Sequence, residues 1–414
     1  MVASRGRHRP LRVLIIGGGL GGLCLAQGLR QAGLTDVTVY ERDPSAHSRM
    51  QGYRLRISPE GEAALRDCLP PQLQGLLSAT SNRRLAPGIQ PWDEHLNPLP
   101  PQLHPDPRGD SPDKVDAVDR GTLRHVLLAG LDSVVRFGCQ LVRCEQSGDT
   151  VRAHFADGEV ATGDVLVAAD GVRSQVRAQL RPDDRLTDLN VRGVLSRTPR
   201  SAAIAAGLPE RLRDQFSYVI GSDGASLGLM PMVFRSRPRA AVAAHWPGLP
   251  MDDADDYYMS VFQLHQQALG MADEVFFAMT GEDLRRLALD RTSHWHPELR
   301  PLWACAQPEE TYPIALRAMT PVHRWDTGAI VPLGDAVHTM PPTGGAGANT
   351  ALRDASTLSR ALAAVSRGER DLTSALAEYQ DQMVRYATEA VQASLRVARS
   401  FKVIESAEQA AGTA

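Results

Sequence analysis

Gly17, Gly19 and Gly22 lie in the run Gly17-Gly18-Gly19-Leu20-Gly21-Gly22, a G-x-G-x-x-G pattern whose spacing has a use in chemistry. Residues 12–16 before it read as a buried parallel strand, residues 23–31 after it as a helix ending near Gly33, and residues 37–40 as a second strand closing on Glu41. In that setting Gly17 permits a tight turn, Gly19 lets the backbone approach a pyrophosphate, and Gly22 lets helix and strand pack closely. The helix N-terminus offers unpaired N–H groups and partial positive charge to phosphate. Glu41 stands where a carboxylate accepts hydrogen bonds from ribose hydroxyls. This segment predicts dinucleotide binding without separating NAD from FAD.

Two later motifs repeat the strand-then-turn arrangement. Residues 164–169 read as a buried strand ending in Asp170-Gly171, followed by a helical segment to about residue 180. Residues 329–333 read as another strand. It ends in Gly334-Asp335, then His338, Pro341-Pro342, a glycine-rich turn from Gly344 to Asn349, and a helix over 350–363. Asp-Gly and Gly-Asp are ordinary turn signals when met alone; here each follows a predicted strand, in a fixed order. His338 reads as a structural anchor of the proline-rich loop rather than a catalytic base.

With the segment Val118-Asp119-Arg120-Gly121-Thr122-Leu123-Arg124, these motifs carry a resemblance to a known family. The sequence resembles the single-component FAD-dependent aromatic hydroxylases, the p-hydroxybenzoate hydroxylase-like group A flavoprotein monooxygenases, over roughly residues 11–365, most loosely in the middle third. The resemblance implies a bound FAD, with NADPH or NADH as a transient co-substrate. Position by position, it implies Gly17, Gly19, Leu20 and Gly22 at the pyrophosphate, Glu41 at the adenosine ribose, and Arg42 and Arg120 near the nucleotide. Asp170 falls at the DG motif and Asp335 at the ribityl or ribose hydroxyls. Gly345, Gly347, Ala348 and Asn349 approach the isoalloxazine edge, where the following helix N-terminus faces the negative charge of reduced flavin. Ala346 stands where many relatives carry glutamine, which removes a side-chain contact and leaves the backbone ones.

The implied function is insertion of one oxygen atom from O2, by hydroxylation or epoxidation, into an aromatic or polycyclic small molecule, in secondary metabolism or aromatic degradation. Two other chemistries fit the same motifs: a non-redox cyclase that keeps FAD as a structural element, and a flavin-linked reductase of isoprenoid double bonds. Fold alone does not choose among them. There is a single G-x-G-x-x-G, no C-x-x-C and no W-x-W. A second nucleotide domain, glutathione-reductase-like disulfide chemistry and flavin halogenation are therefore unsupported.

Composition narrows the class. The chain has 414 residues, is 43% hydrophobic and 22% charged, and carries a net charge of −3, so nothing favours nucleic acid or an anionic membrane as partner. Lysine occurs only at 114 and 402; the remaining positive charge is arginine, suited to planar contacts with phosphate and carboxylate. The five cysteines, Cys24, Cys68, Cys139, Cys144 and Cys305, read as reduced thiols, and no metal site is expected. The arginines at 5, 7 and 9 before the apolar stretch 11–26 imitate a signal peptide, but five glycines interrupt that stretch. The expectation is a flexible leader over 1–10 and a cytoplasmic monomer or homodimer.

The predicted fold is α/β: a Rossmann-like FAD-binding domain over 11–80, 113–185 and 317–370, with an inserted mixed β-sheet substrate domain over 81–112 and 186–316. A C-terminal helix over 371–406 carries an apolar stripe that packs on the FAD domain. The proline-rich stretch 81–112 reads as an irregular excursion. Alternation in 215–220, 229–234 and 240–246 predicts strands. The pocket candidates follow from that pattern. Met230 and Met232 form either an apolar pocket face or plain core, Tyr218 and His245 are candidates to orient or deprotonate a phenol, and Arg54 and Arg56 share one face of a strand near flavin or substrate.

Overall fold

The four-residue segments Val13–Ile16 and Val165–Ala168 carry only apolar side chains, and a strand with both faces covered requires this. They pair in parallel at the centre of a five-stranded sheet. Its order is Ile330–Pro332, Val165–Ala168, Val13–Ile16, Val37–Tyr40, Val135–Arg136, all neighbours parallel. The computed structural model describes residues 10–48, 53–83, 85–86, 88–100, 114–325 and 328–400. Most of the leader (1–9) and the expected helical residues 401–406 lie outside these. The carboxyl ends of the three strands that precede the sequence motifs lie side by side, so the motifs meet at one edge of the sheet.

Helices cover this sheet. The Leu20–Gln31 helix starts three residues earlier than the sequence reading placed it, directly at the glycine loop. It packs against the Gly347–Ser366 helix, where Gly28 leaves room for Ser359 and Cys68. The long Leu372–Ser400 helix buries Leu376, Tyr379, Met383 and Tyr386 at steps of three and four, and the Tyr379 hydroxyl donates to the Pro332 carbonyl at 2.8 Å. That stripe packs beside the edge strand Ile330–Pro332 and against the Gly347–Ser366 helix.

A six-stranded sheet forms the opposite wall, in the order Thr311–Ala318, Thr187–Pro199, Tyr257–His265, Ser226–Met232, Phe216–Ile220, Ile89–Asp93. All pairs are antiparallel except the last. The proline-rich excursion therefore contributes an edge strand, Ile89–Asp93, parallel to Phe216–Ile220, a position where proline costs no ladder bond. The sheet's far face is sealed by a separate core holding Phe262, Trp295 and Trp303 under the helices Gly281–Arg291 and Pro301–Ala304. Two smaller sheets complete the structure: Leu141–Ser147 with Thr150–Phe155 and Val160–Gly163, and a ribbon of Arg54–Arg56 with Ala117–Asp119.

One predicted strand is a helix. Residues 240–245 fall in Pro238–His245, which Trp246 caps, with proline in its first turn and four alanines. Alanine has high helix propensity and proline suits a helix start, and the small-residue run mimicked alternation by chance. Among the described residues, no helix is long and apolar enough to cross a membrane.

Candidate functional site

A cleft of about 1310 Å³ opens between the carboxyl edge of the parallel sheet and the near face of the six-stranded one. The G-x-G-x-x-G loop forms one end of it. Gly17 adopts φ +110°, and a Cβ there would overlap the Ala169 carbonyl; a Cβ on Gly22 would overlap the Gly17 carbonyl; a Cβ on Gly19 would meet nothing within 4 Å. Gly17 and Gly22 are thus required by the fold, and Gly19 faces open cleft. Gly19 also caps the Leu20–Gln31 helix with no side-chain hydrogen bond, so the first N–H groups are left for a ligand.

The other motif residues converge here. Leu20, Glu41, Arg42, Arg120, Asp170, Asp335, Gly345, Gly347 and Ala348 all line the cleft together with Gly17, Gly19 and Gly22. Glu41 is buried and accepts from the Gly18 N–H at 2.7 Å and the Asp43 N–H at 2.9 Å, so it braces the loop as well as facing the cleft. The Asp335 carboxylate projects into the cleft and makes no hydrogen bond among the described residues; the surrounding protein raises its pKa by desolvation, against the nearby His338 and Arg120. Asp170 accepts from the Gln175 and Val176 N–H groups at the start of the Gln175–Leu180 helix, while its second oxygen is buried with no hydrogen-bond partner among the described residues; burial raises its pKa. Arg120 lies 5.5 Å from the centre of the Tyr53 ring.

Three candidates take other places. Asn349 does not line the cleft: its side chain donates to the carbonyls of Arg56 and Gly345 and accepts from the Ser58 N–H, which ties the glycine turn to the Arg54–Arg56 strand. Met232 is fully buried against Phe234, Tyr257 and Met259, whereas Met230 reaches the cleft. The two share a face, as alternation predicts, but Met232 lies at the end of its strand that pairs with Tyr257, whose hydroxyl reaches Asp119 of the ribbon. His245 ends the Pro238–His245 helix and sits against Gly75, away from the cleft. Tyr218 does line the cleft, yet its hydroxyl donates to Ser226 at 2.9 Å and burial raises its pKa, so it is no general base. Arg54 and Arg56 both line the cleft.

Several residues without a role in the sequence reading hold the motifs together. Arg124, one helical turn after Arg120, donates to the Gly18 carbonyl at 3.2 Å and the Ala46 carbonyl at 2.5 Å. Arg177 donates to the carbonyls of Val172 and Ala336 and so couples the DG turn to the GD turn. Asp354, fully buried, accepts from the Gly334 N–H, His338 Nε2 and the Tyr386 hydroxyl at 2.8, 2.7 and 2.6 Å. Asp354 is the one acid among the buried residues of the Gly347–Ser366 helix, and that was the available signal for it. His338 is structural, as expected.

Two family models match the chain: an FAD binding domain over residues 288–394 and an NAD(P)-binding Rossmann-like domain over 15–63. A solved structure from Photorhabdus luminescens, described as an FAD containing monooxygenase, is 30% identical, with a TM-score of 0.79 over 95% of this chain and 98% of that one. This chain belongs to the p-hydroxybenzoate hydroxylase-like family of FAD-dependent monooxygenases. Other members of that family show the same kinship. The dual O-methyltransferase/FAD-dependent monooxygenase of Cercospora beticola is 31% identical over 92% of this chain, and the FAD-dependent urate hydroxylase of Klebsiella pneumoniae is 28% identical over 90% of this chain and 85% of its own length. The chain spans 45% of the Cercospora protein, about half the length of the first curated relatives it matches. FAD is the family's cofactor, and the residues fit it: a loop clear of side chains at Gly19, uncapped N–H groups at two helix starts, and an unpaired carboxylate at Asp335.

Proposed function

We propose that this chain is an FAD-dependent monooxygenase that uses NADPH or NADH and O2 to insert one oxygen atom, by hydroxylation or epoxidation, into an aromatic or polycyclic small molecule. The observation that carries the reading is the cleft itself. One wall holds all three nucleotide motifs and the other is an apolar sheet face made by Leu195, Phe216, Met230, Met259, Val261 and Ile314.

When bound, FAD supplies the capacity to take electrons from the nicotinamide and to activate oxygen. The protein's own groups do the rest. The 17–22 loop and the Leu20–Gln31 helix N-terminus would hold the diphosphate, with Arg42 and Arg120 adding charge beside the nucleotide. Asp335 would accept from sugar hydroxyls. The uncapped N-terminus of the Gly347–Ser366 helix places partial positive charge where a negative group is stabilised. The apolar face orients a flat substrate and excludes water from the reacting atoms. Asp170 and Arg177 keep the DG turn in register with the GD turn.

The test is reduction of the bound flavin by NADPH and then NADH without oxygen, followed by its visible absorbance, with and without a metabolite extract. Bleaching that accelerates with the extract, and oxygen uptake coupled to substrate loss, are the expected results. A substrate turned over without oxygen uptake would assign the cleft to cyclisation or double-bond reduction instead.

A further inference from the structure

We propose that Arg54 anchors one anionic oxygen of the substrate, a carboxylate or a deprotonated phenol or enol, on an otherwise apolar planar molecule. The inference rests on reading the cleft as a substrate site, and it concerns an arginine there whose Nε is buried with no partner among the described residues.

Arg54 lines the cleft from the Arg54–Arg56 strand, makes no hydrogen bond or ion pair among the described residues, and has its Nε buried. Two carboxylates flank it, and both are engaged elsewhere. Asp119, its cross-strand partner, caps the Arg120–Leu128 helix through the Thr122 N–H at 2.8 Å. Its other oxygen accepts from the Tyr257 hydroxyl at 2.9 Å, and Arg197 stacks over the Tyr257 ring at 4.0 Å. Asp116 lies 3.2 Å from Lys114. Elsewhere on the rim, Arg83 is paired with Asp214 at 2.8 Å. Burial lowers the Arg54 pKa from 12.5 to about 10, so at neutral pH the guanidinium remains charged in a poorly hydrated place. An arginine left this way is costly unless a ligand completes it, and its planar fork suits two oxygens of one acid.

Position separates substrate from cofactor as the occupant. Along one face of the strand, Arg56 lies beside Gly345 of the cofactor turn, whereas the groups acting on Arg54 are Tyr257 of the six-stranded sheet, Arg56 and Asp116. Arg54 thus stands on the substrate side of the turn, next to the apolar face that ends in Tyr257 and Met259.

The test uses the protein purified with FAD bound and three probes of one shape: 2-naphthoate, 2-naphthol and methyl 2-naphthoate. Binding is read from the change each causes in flavin absorbance, and FAD affinity is titrated separately. At least one of the two acidic probes is expected to bind about tenfold or more tightly than the neutral ester. The preferred one identifies the oxygen as carboxylate or phenol. Arg54→Gln should abolish that preference while leaving ester and FAD affinity within about threefold; Arg54→Lys should keep part of it. Equal binding of all three probes by the parent protein would overturn the inference, as would an unchanged preference in Arg54→Gln, or a loss of FAD affinity with the preference intact. None of these readouts needs turnover. Acid-selective binding in a protein that never couples oxygen uptake to substrate loss would overturn the monooxygenase reading and leave this one standing.

Discussion

Gly19 and Gly22 are both part of one motif, but they answer to different forces. Gly22 is a packing residue: a methyl group there meets the backbone of Gly17, which cannot move without dragging the loop. Gly19 lines the cleft, and a Cβ there would meet nothing within 4 Å, so its missing side chain leaves space only for a ligand. Gly22→Ala should destabilise the apoprotein by about 2 kcal/mol or more, the usual range for overpacking against fixed atoms. Gly19→Ala should melt like the parent without cofactor yet bind FAD about tenfold more weakly. Thermal melts of the two apoproteins and an FAD titration check both. Equal melting losses in the two variants would show that the loop does not distinguish them. The pocket candidates differ in the same way. Met230 and Met232 are identical in type and two residues apart, and only the packing of Phe234, Tyr257 and Met259 around Met232 decides which one meets a ligand.

At the scale of elements, the GD turn is held from behind by two helices. Asp354 of the Gly347–Ser366 helix joins Gly334, His338 and Tyr386, and Tyr386 belongs to the Leu372–Ser400 helix. All are buried, so the C-terminal helix and the cofactor turn share one hydrogen-bond network. For His338, burial acts to lower the pKa, but the charge and hydrogen bond of Asp354 prevail and the value is raised above 6.5. The sign follows from linkage: a histidine with a raised folded pKa contributes stability that is complete below about pH 6.5 and lost as pH rises through the folded value. Melting temperature should therefore fall on the alkaline side of that window, and Asp354→Asn should remove this slope. Asp354→Asn should also cost about 3 kcal/mol or more, since it breaks a buried pair, and Tyr386→Phe about 1–2 kcal/mol. Denaturant melts across pH measure both; an unchanged slope in Asp354→Asn would show His338 to be neutral in the folded protein.

In the molecule as a whole, the cleft touches strands of both main sheets, the ribbon of Arg54–Arg56 and Ala117–Asp119, and the start of the Gly347–Ser366 helix. Cofactor binding should therefore be felt by the whole fold. FAD at about 100 times its Kd should add about 2.7 kcal/mol to the stability of the native state, and the gain should grow with FAD concentration. Calorimetric melts at graded FAD check this, and a melting temperature independent of FAD would show that the nucleotide walls are not part of the cooperative unit.

The motifs at 17–22, 170–171 and 334–335 were legible in the linear sequence because each is local. A parallel strand, a turn that admits only glycine and a helix start must follow one another within a dozen residues, and residue type alone reports that. The stripe of the long C-terminal helix was legible for the same reason, since a period of 3.6 is a local property. Residues 240–246 misled because small apolar residues satisfy both periods. The substrate half was not legible, because alternation reports which side chains share a face but not what lies over that face. Met232 and His245 are covered by segments distant in sequence, and the Tyr218 hydroxyl donates a hydrogen bond to Ser226 across a hairpin. The unmatched charge of Arg54 is the clearest case: it depends on Asp119 being held by Tyr257 and on Asp116 lying beside Lys114. Residue types and spacing determined that the chain would form a dinucleotide cradle. The tertiary structure decided what faces it, because only packing across distant segments settles which polar groups are already satisfied and which remain for a ligand.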